Sequence, residues 1–204
     1  MFPRLAALLM LIAATAPALG AERVRPAAVA GSWYPGDAAE LGAYLDRAFE
    51  SAPAWTVSEG ERLHALIAPH AGYRYSGATA AAGYRALRGG PFDRVVLLGP
   101  SHHSGFRGAA IADVEAYATP LGNVPLDTAA VARLRESPLV SAGPAAPDSE
   151  HSLEIQLPFL QRALAPGWRL VPILAGRLEA EDYPVLAEPI RPILNGPTLV
   201  VVPT

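Results

Sequence analysis

The sequence contains no cysteine and no lysine. Without cysteine there is no disulfide, no thiolate nucleophile and no thiolate metal ligand. Any metal held by these residues must sit on imidazole nitrogen or carboxylate oxygen. Without lysine, Schiff-base chemistry and the lysine of a phosphate-binding loop are excluded. All 16 basic residues are therefore arginine, and they face 19 acidic ones for a formal net charge of -3. No basic field exists of the kind nucleic acid requires, so nucleic acid is not an expected partner. Charged residues make up only 17% of the chain and hydrophobic ones 51%, which fits a folded globular protein rather than a disordered one. A length of 204 residues suffices for one domain with a substantial core.

Long hydrophobic runs are missing too, except at the N-terminus. Arg4, the apolar residues 5–16, and Ala18-Leu19-Gly20 ahead of Ala21-Glu22 have the layout of a cleavable secretory signal. The apolar stretch is short for a bilayer span, and no cysteine follows it for lipid attachment. The expectation is a signal peptide over residues 1–20 and a single domain over residues 21–204. The mature chain would then be periplasmic or secreted, with no stable membrane anchor after cleavage.

Residues 21–36, rich in proline, glycine and aromatics, read as irregular. Asp37 with Glu40 has capping-box spacing, and Leu41, Tyr44, Leu45 and Phe49 predict a helix over 38–50. Strands are predicted at 63–68, 94–98, 109–113, 168–174 and 198–202. Helices are predicted from Ser76 to about residue 87, behind Asp127 to about 136, from Asp148 or Ser149 onward, and over 180–194 with proline interruptions. In the segment after residue 148, Leu153, Leu157, Leu160 and Leu164 lie on one helical face, and Pro158 should kink or restart that helix. Residues 117–125 read as loop. Alternating strands and helices predict an α/β fold, a mainly parallel or mixed sheet flanked by helices. The final apolar strand stops at Pro203-Thr204 without a covering helix, which suggests that a C-terminal portion is missing.

Two predicted strands run straight into histidine: residues 63–69 into His70, and residues 94–101 into His102 and His103. Ligands of parallel sheets bind beyond the carboxyl ends of the strands, so two neighbouring strands could aim His70 and His102 at one point, as in half of a metal site. Neutral imidazole suits Zn, Cu, Fe and Ni. His64, inside its strand, reads as structural. His151 is predicted in the first turn of a helix, where the positive end of the macrodipole disfavours its protonation and leaves it available as a base. Asp148 and Glu150 read as ligands or as helix N-terminal charges. Tyr73 and Tyr75 read as donors toward the site or as packing aromatics. Gly72, Gly77, Gly99 and Gly105 flank the histidines, where close backbone approach or an ordinary turn would both call for glycine.

Four segments taken together resemble the Memo-like family, whose bacterial members are called AmmeMemoRadiSam system protein B. They are Ala30-Gly31-Ser32-Trp33-Tyr34-Pro35, Ile67-Ala68-Pro69-His70-Ala71-Gly72-Tyr73-Arg74-Tyr75-Ser76-Gly77, Leu98-Gly99-Pro100-Ser101-His102-His103, and Glu150-His151-Ser152-Leu153-Glu154-Ile155-Gln156-Leu157-Pro158-Phe159. The resemblance implies an α/β fold related to the class III extradiol dioxygenases. It implies a metal site with His70 and His102 as ligands and His151 lining the same pocket as the catalytic candidate. His103, Tyr73, Ser101 and Glu150 would stand around it. It further implies iron or copper, Fe(II) foremost and Zn as a lesser alternative. A radical-SAM protein and an AMMECR1-like protein are implied as functional partners. In the family, the segment after the last strand completes the metal site with a cysteine that this sequence does not reach.

Three functions follow as alternatives. The chain binds a metal, or recognises a small molecule, peptide or partner, without turnover. Or it is a non-haem iron oxidoreductase of the dioxygenase type, with His151 moving protons. Or it is a metallohydrolase using a zinc-bound water, although no carboxylate base is clearly placed for that.

Overall fold

A computed structural model of the chain describes residues 22–54, 58, 61, 63–142 and 150–204. The expected signal peptide and the expected helix start at Asp148 or Ser149 lie outside the described residues. In chain order the elements are β1 (Val24–Arg25), α1 (Ala38–Ser51), β2 (Ala65–Ala68), α2 (Tyr73–Arg85), β3 (Arg94–Pro100), β4 (Ala109–Ala110), β5 (Ala116–Thr119), β6 (Gly122–Pro125), α3 (Thr128–Leu134) and β7 (Val140–Ser141). A 3-10 turn (Glu154–Gln156) then leads into α4 (Leu157–Ala163), followed by β8 (Arg169–Ala175), α5 (Asp182–Ile190) with a 3-10 extension (Arg191–Leu194), and β9 (Thr198–Pro203).

The main sheet has six strands in the order β2-β9-β3-β8-β4-β7. β2, β9, β3 and β8 run parallel, whereas β4 is antiparallel to β8 and parallel to β7. A smaller sheet, β1-β5-β6, has its own ladder and adjoins strand β8 of the main one through an isolated bridge between Leu126 and Leu170. The fold is thus mixed α/β with helices flanking the sheets. In the sheet centre, Val95, Val96 and Leu97 of β3 and residues 170–174 of β8 are buried in succession, so both faces are covered. β2 lies at the edge and alternates instead: Leu66 and Ala68 face the core while Ile67 is 72% exposed.

Local chemistry explains most element boundaries. The Asp37 carboxylate accepts from the amides of Ala39 and Glu40 at the start of α1, which buries Leu41, Leu45 and Phe49. Asp127 caps α3 through the amide of Ala130. Tyr84 of α2 stacks on Phe159 of α4 at 5.2 Å between ring centroids, with Phe49 edge-on to the same ring.

Four expectations need correction. α2 begins at Tyr73, not Ser76: the Ser76 hydroxyl lies inside the first turn and donates to the Ala71 carbonyl, while Gly72 holds the cap position. Residues 117–125 are not a loop but mostly the β5–β6 hairpin. Gly122, at φ 115°, lets the chain reverse, and the Thr119 hydroxyl braces the turn against Leu121 and Gly122. Residues 24–25, expected irregular, pair with β5 as a parallel strand. Residues 150–156 are not α-helical. The α-helix starts only at Leu157, with Pro158 in its first turn, where a missing amide hydrogen costs no bond.

Candidate metal centre

β2 and β3 each deliver a histidine just past their carboxyl ends, as their sequences suggested. The strands are not neighbours, however: β9 lies between them. The segments that follow β2 and β3 nevertheless bring His70 Nε2 and His102 Nε2 to 3.2 Å. His151 joins them from the segment before the 3-10 turn, stacked at 4.5 Å between centroids on His102 and 5.7 Å from His70. One ligand atom from each of His70, His102 and His151 lies within 4.8 Å of the others.

The donor set fits a metal ion. Nitrogens about 2.05 Å from a tetrahedral ion lie about 3.3 Å apart, close to the observed 3.2 Å separation. Two like-charged or two lone-pair nitrogens at that distance repel unless a proton or a cation joins them. His70 Nδ1 and His151 Nδ1 are buried without a hydrogen-bond partner among the described residues. Burial pushes the His70 and His151 imidazoles below their usual pKa, and charge on His102 would push both the same way, against the raising influence of Glu150. For His151 the direction agrees with the sequence expectation but the cause differs. It sits ahead of the turn rather than in a helix, so desolvation takes the place of a helix dipole.

Glu150 is neither a ligand in this cluster nor a helix-end charge. Its Oε1 accepts from the amides of His151 and Ser152, at 2.9 and 3.0 Å, and lies 3.1 Å from His102 Nδ1. Its Oε2 accepts from the His102 amide at 2.8 Å. Burial would raise its pKa, but these hydrogen bonds outweigh it and hold the carboxyl at about 2.

The remaining candidates separate clearly. Tyr73 is not part of the pocket. As the first residue of α2 it turns into the core among Tyr34, Tyr44 and Phe159, and its hydroxyl donates to the Ile155 carbonyl. Ser101 spends its hydroxyl on the Ser104 carbonyl, shaping the histidine loop instead of facing a ligand. His103 is exposed, its ring more than 6 Å from those of His102 and His151, and it is outside the cluster. His64 is exposed on the edge side, and its carbonyl accepts from Val200. Of the flanking glycines, two meet a real constraint: Gly77, where a Cβ would collide with the Tyr44 hydroxyl, and Gly99. A Cβ at Gly99 would lie 2.8 Å from Leu153 and 3.0 Å from the Ser152 hydroxyl, so glycine lets the His102 strand approach the His151 segment.

Residues 150–156 act as the keystone, and sequence reasoning assigned a role only to their first two. The Ser152 hydroxyl donates to the Pro100 carbonyl and fixes the end of β3. The Gln156 amide donates to the Pro69 carbonyl beside His70, while its oxygen accepts from Tyr84. Glu154, fully buried, accepts from Arg25, the amides of Ala28 and Val29, and the Tyr34 hydroxyl. That last set pins residues 25–34, from which Trp33 lies over His151 at 3.9 Å between centroids. Beside the cluster opens a cavity of about 630 Å³ lined by Trp33, His70, Arg74, Tyr75, His151 and Thr204, among others.

Residues 25–204 match the model of the Memo-like protein family. The chain belongs to this family. Its relatives include the Caenorhabditis elegans protein memo-1 homolog, 36% identical over 162 residues that cover 77% of this chain and 44% of that protein. An Aquifex aeolicus MEMO1 family protein is 36% identical over 159 residues, 78% of this chain and 57% of that one. The Xenopus laevis protein MEMO1 is 32% identical over 178 residues, 85% of this chain and 59% of that one. The matched region spans about half the length of these Memo-like relatives. The mixed α/β architecture is the one this family shares with the class III extradiol dioxygenases.

Proposed function

We propose that this Memo-like chain binds a redox-active metal ion, Fe(II) or copper, through His70 and His102, with His151 as a third, adjacent nitrogen. The observation that carries this is the convergence of the three imidazoles, with two Nε2 atoms 3.2 Å apart. Nitrogen-only donors favour iron, copper or zinc over magnesium or calcium. Residues 1–20 have the composition of an export signal, so the protein would meet its metal outside the cytosol, apart from radical-SAM or AMMECR1-like partners working inside it. Binding without turnover is the primary reading, in keeping with a site whose carboxylate, Glu150, is committed to holding histidines. That same commitment speaks against a metallohydrolase, because both Glu150 oxygens already accept from protein donors and the side chain is buried away from water.

Dioxygenase-type oxidation is a second reading, favoured by the open cavity that His70 and His151 share with Trp33 and Tyr75. A bound Fe(II) would supply dioxygen chemistry. The chain's own contribution would be to seat an aromatic ligand against Trp33 and Tyr75 and to take a proton at the His151 imidazole, which lines the same cavity.

The deciding experiment is metal analysis by mass spectrometry on the complete protein purified without oxygen, beside the His70→Ala, His102→Ala double variant. The expected result is near-stoichiometric iron or copper that disappears in the variant. Absence of metal from both samples refutes the assignment. Oxygen uptake with a panel of catechols separates the two readings.

A further inference from the structure

The geometry points to Glu150 as a positioning residue that selects which nitrogen of His102 faces the metal and locks two of the three histidine loops into one register. This rests on the metal-binding reading above and adds to it a residue that touches no metal.

Three of the four groups within hydrogen-bond reach of the Glu150 carboxylate are amide donors, so it is an acceptor throughout; His151 Nδ1, 3.9 Å from Oε1, lies beyond that reach. The fourth neighbour, His102 Nδ1 at 3.1 Å from Oε1, must then be the donor. A neutral imidazole carries one proton. With Nδ1–H spent on Glu150, Nε2 of His102 is left as a lone pair, and this is the nitrogen that faces His70 Nε2. Carboxylate–histidine–metal relays work in this way, fixing the tautomer and ring plane and raising the basicity of the ligand nitrogen. The same carboxylate spans two segments 48 residues apart, tying the His102 amide to the amides of His151 and Ser152. One side chain thus sets both the tautomer of His102 and the distance between His102 and His151. The Glu150 side chain is only 2% exposed, so water does not compete for its carboxylate oxygens.

The test reads the tautomer directly. Long-range proton–nitrogen correlation spectra of the metal-free, histidine-labelled protein, with His102→Ala for assignment, should show His102 protonated at Nδ1. In Glu150→Ala the Nε2–H form should appear, and affinity for the metal found in the intact protein should fall 10- to 100-fold. Glu150→Gln keeps the shape and one acceptor oxygen, so it should retain the Nδ1–H tautomer with a smaller loss of affinity. That variant serves where Ala fails to fold. An Nε2–H tautomer in the unaltered protein would overturn the proposal. So would Glu150→Ala and Glu150→Gln both binding metal as tightly as the unaltered protein. Should the unaltered protein bind no metal, the metal reading falls, while the tautomer measurement still judges the role of Glu150 on its own.

Discussion

Glu154→Gln should destabilise the protein more than any other single isosteric change in this region. Glu154 and Arg25 form a buried ion pair, with side chains 0% and 5% exposed and a 2.6 Å contact between Oε2 and Nη1. Oε2 also accepts from the Ala28 amide, and Oε1 accepts from the Val29 amide and the Tyr34 hydroxyl. A glutamine amide can lie two ways here. With its NH₂ at the Oε2 position it faces two donors. With its NH₂ at the Oε1 position it faces one, because the Tyr34 hydroxyl can reverse and accept. Even the better choice leaves the Val29 amide unpaired and the Arg25 charge buried without an opposite. Breaking a buried pair by removing one partner costs about 3–5 kcal/mol. With a urea slope of about 2 kcal/mol per molar, the unfolding midpoint should fall by about 1.5–2.5 M. Arg25→Met should cost less, since the carboxylate then keeps three donors, although the arginine also gives up its place over the Tyr117 ring. Urea unfolding followed by circular dichroism, with both variants beside the unaltered protein, measures the order. A loss under about 1 kcal/mol for Glu154→Gln, or a greater loss for Arg25→Met, would refute the view that this carboxylate anchors residues 25–34.

The acid limb of stability should carry the signature of Glu150. Its folded pKa lies below the unfolded value, from 4.5 down to about 2, so its contribution is whole above pH 4.5 and is lost as pH falls toward 2. That shift corresponds to at most about 3 kcal/mol, and Glu150→Gln should flatten the stability profile between those limits; an unchanged slope would contradict the hydrogen-bonded carboxylate. Gly108→Ala should lower the melting temperature more than Gly122→Ala. Both glycines have positive φ, but a Cβ at Gly108 would collide with the Leu139 carbonyl oxygen, whereas at Gly122 it meets nothing within 4 Å. The backbone term alone is about 1–2 kcal/mol. Equal losses at the two positions would show that the close approach of β4 to the residues before β7 carries no cost.

The helices and central strands were legible because each rested on a local pattern that tertiary packing reinforces. Asp37 ahead of Leu41, Leu45 and Phe49 needs no distant partner to specify α1, and the unbroken apolar runs of β3 and β8 are those of strands covered on both faces. The placement of His70 and His102 at strand ends was legible for the same reason: it follows from strand direction alone. What escaped was the segment from Glu150 to Gln156. The leucine spacing at 153, 157, 160 and 164 is helical, yet Glu150, Ser152, Glu154 and Gln156 alternate with His151, Leu153 and Ile155, a period of two that no single helical face produces. Each of those four polar side chains is buried, and each reaches a different part of the chain: the His102 loop, the end of β3, residues 25–34, and Pro69 beside His70. Alternating polar residues inside an apolar stretch signal a strand to a local reading, and here they mark a strap whose partners lie 48 to 129 residues away. Periodicity reports which face of an element meets the core. It cannot report a segment buried on every side, whose polar groups are satisfied only once the rest of the fold has closed around it. That is also why Trp33 was missed as a neighbour of His151. Its position depends on Glu154 gripping the backbone of Ala28 and Val29, a contact that leaves no periodic trace at either end.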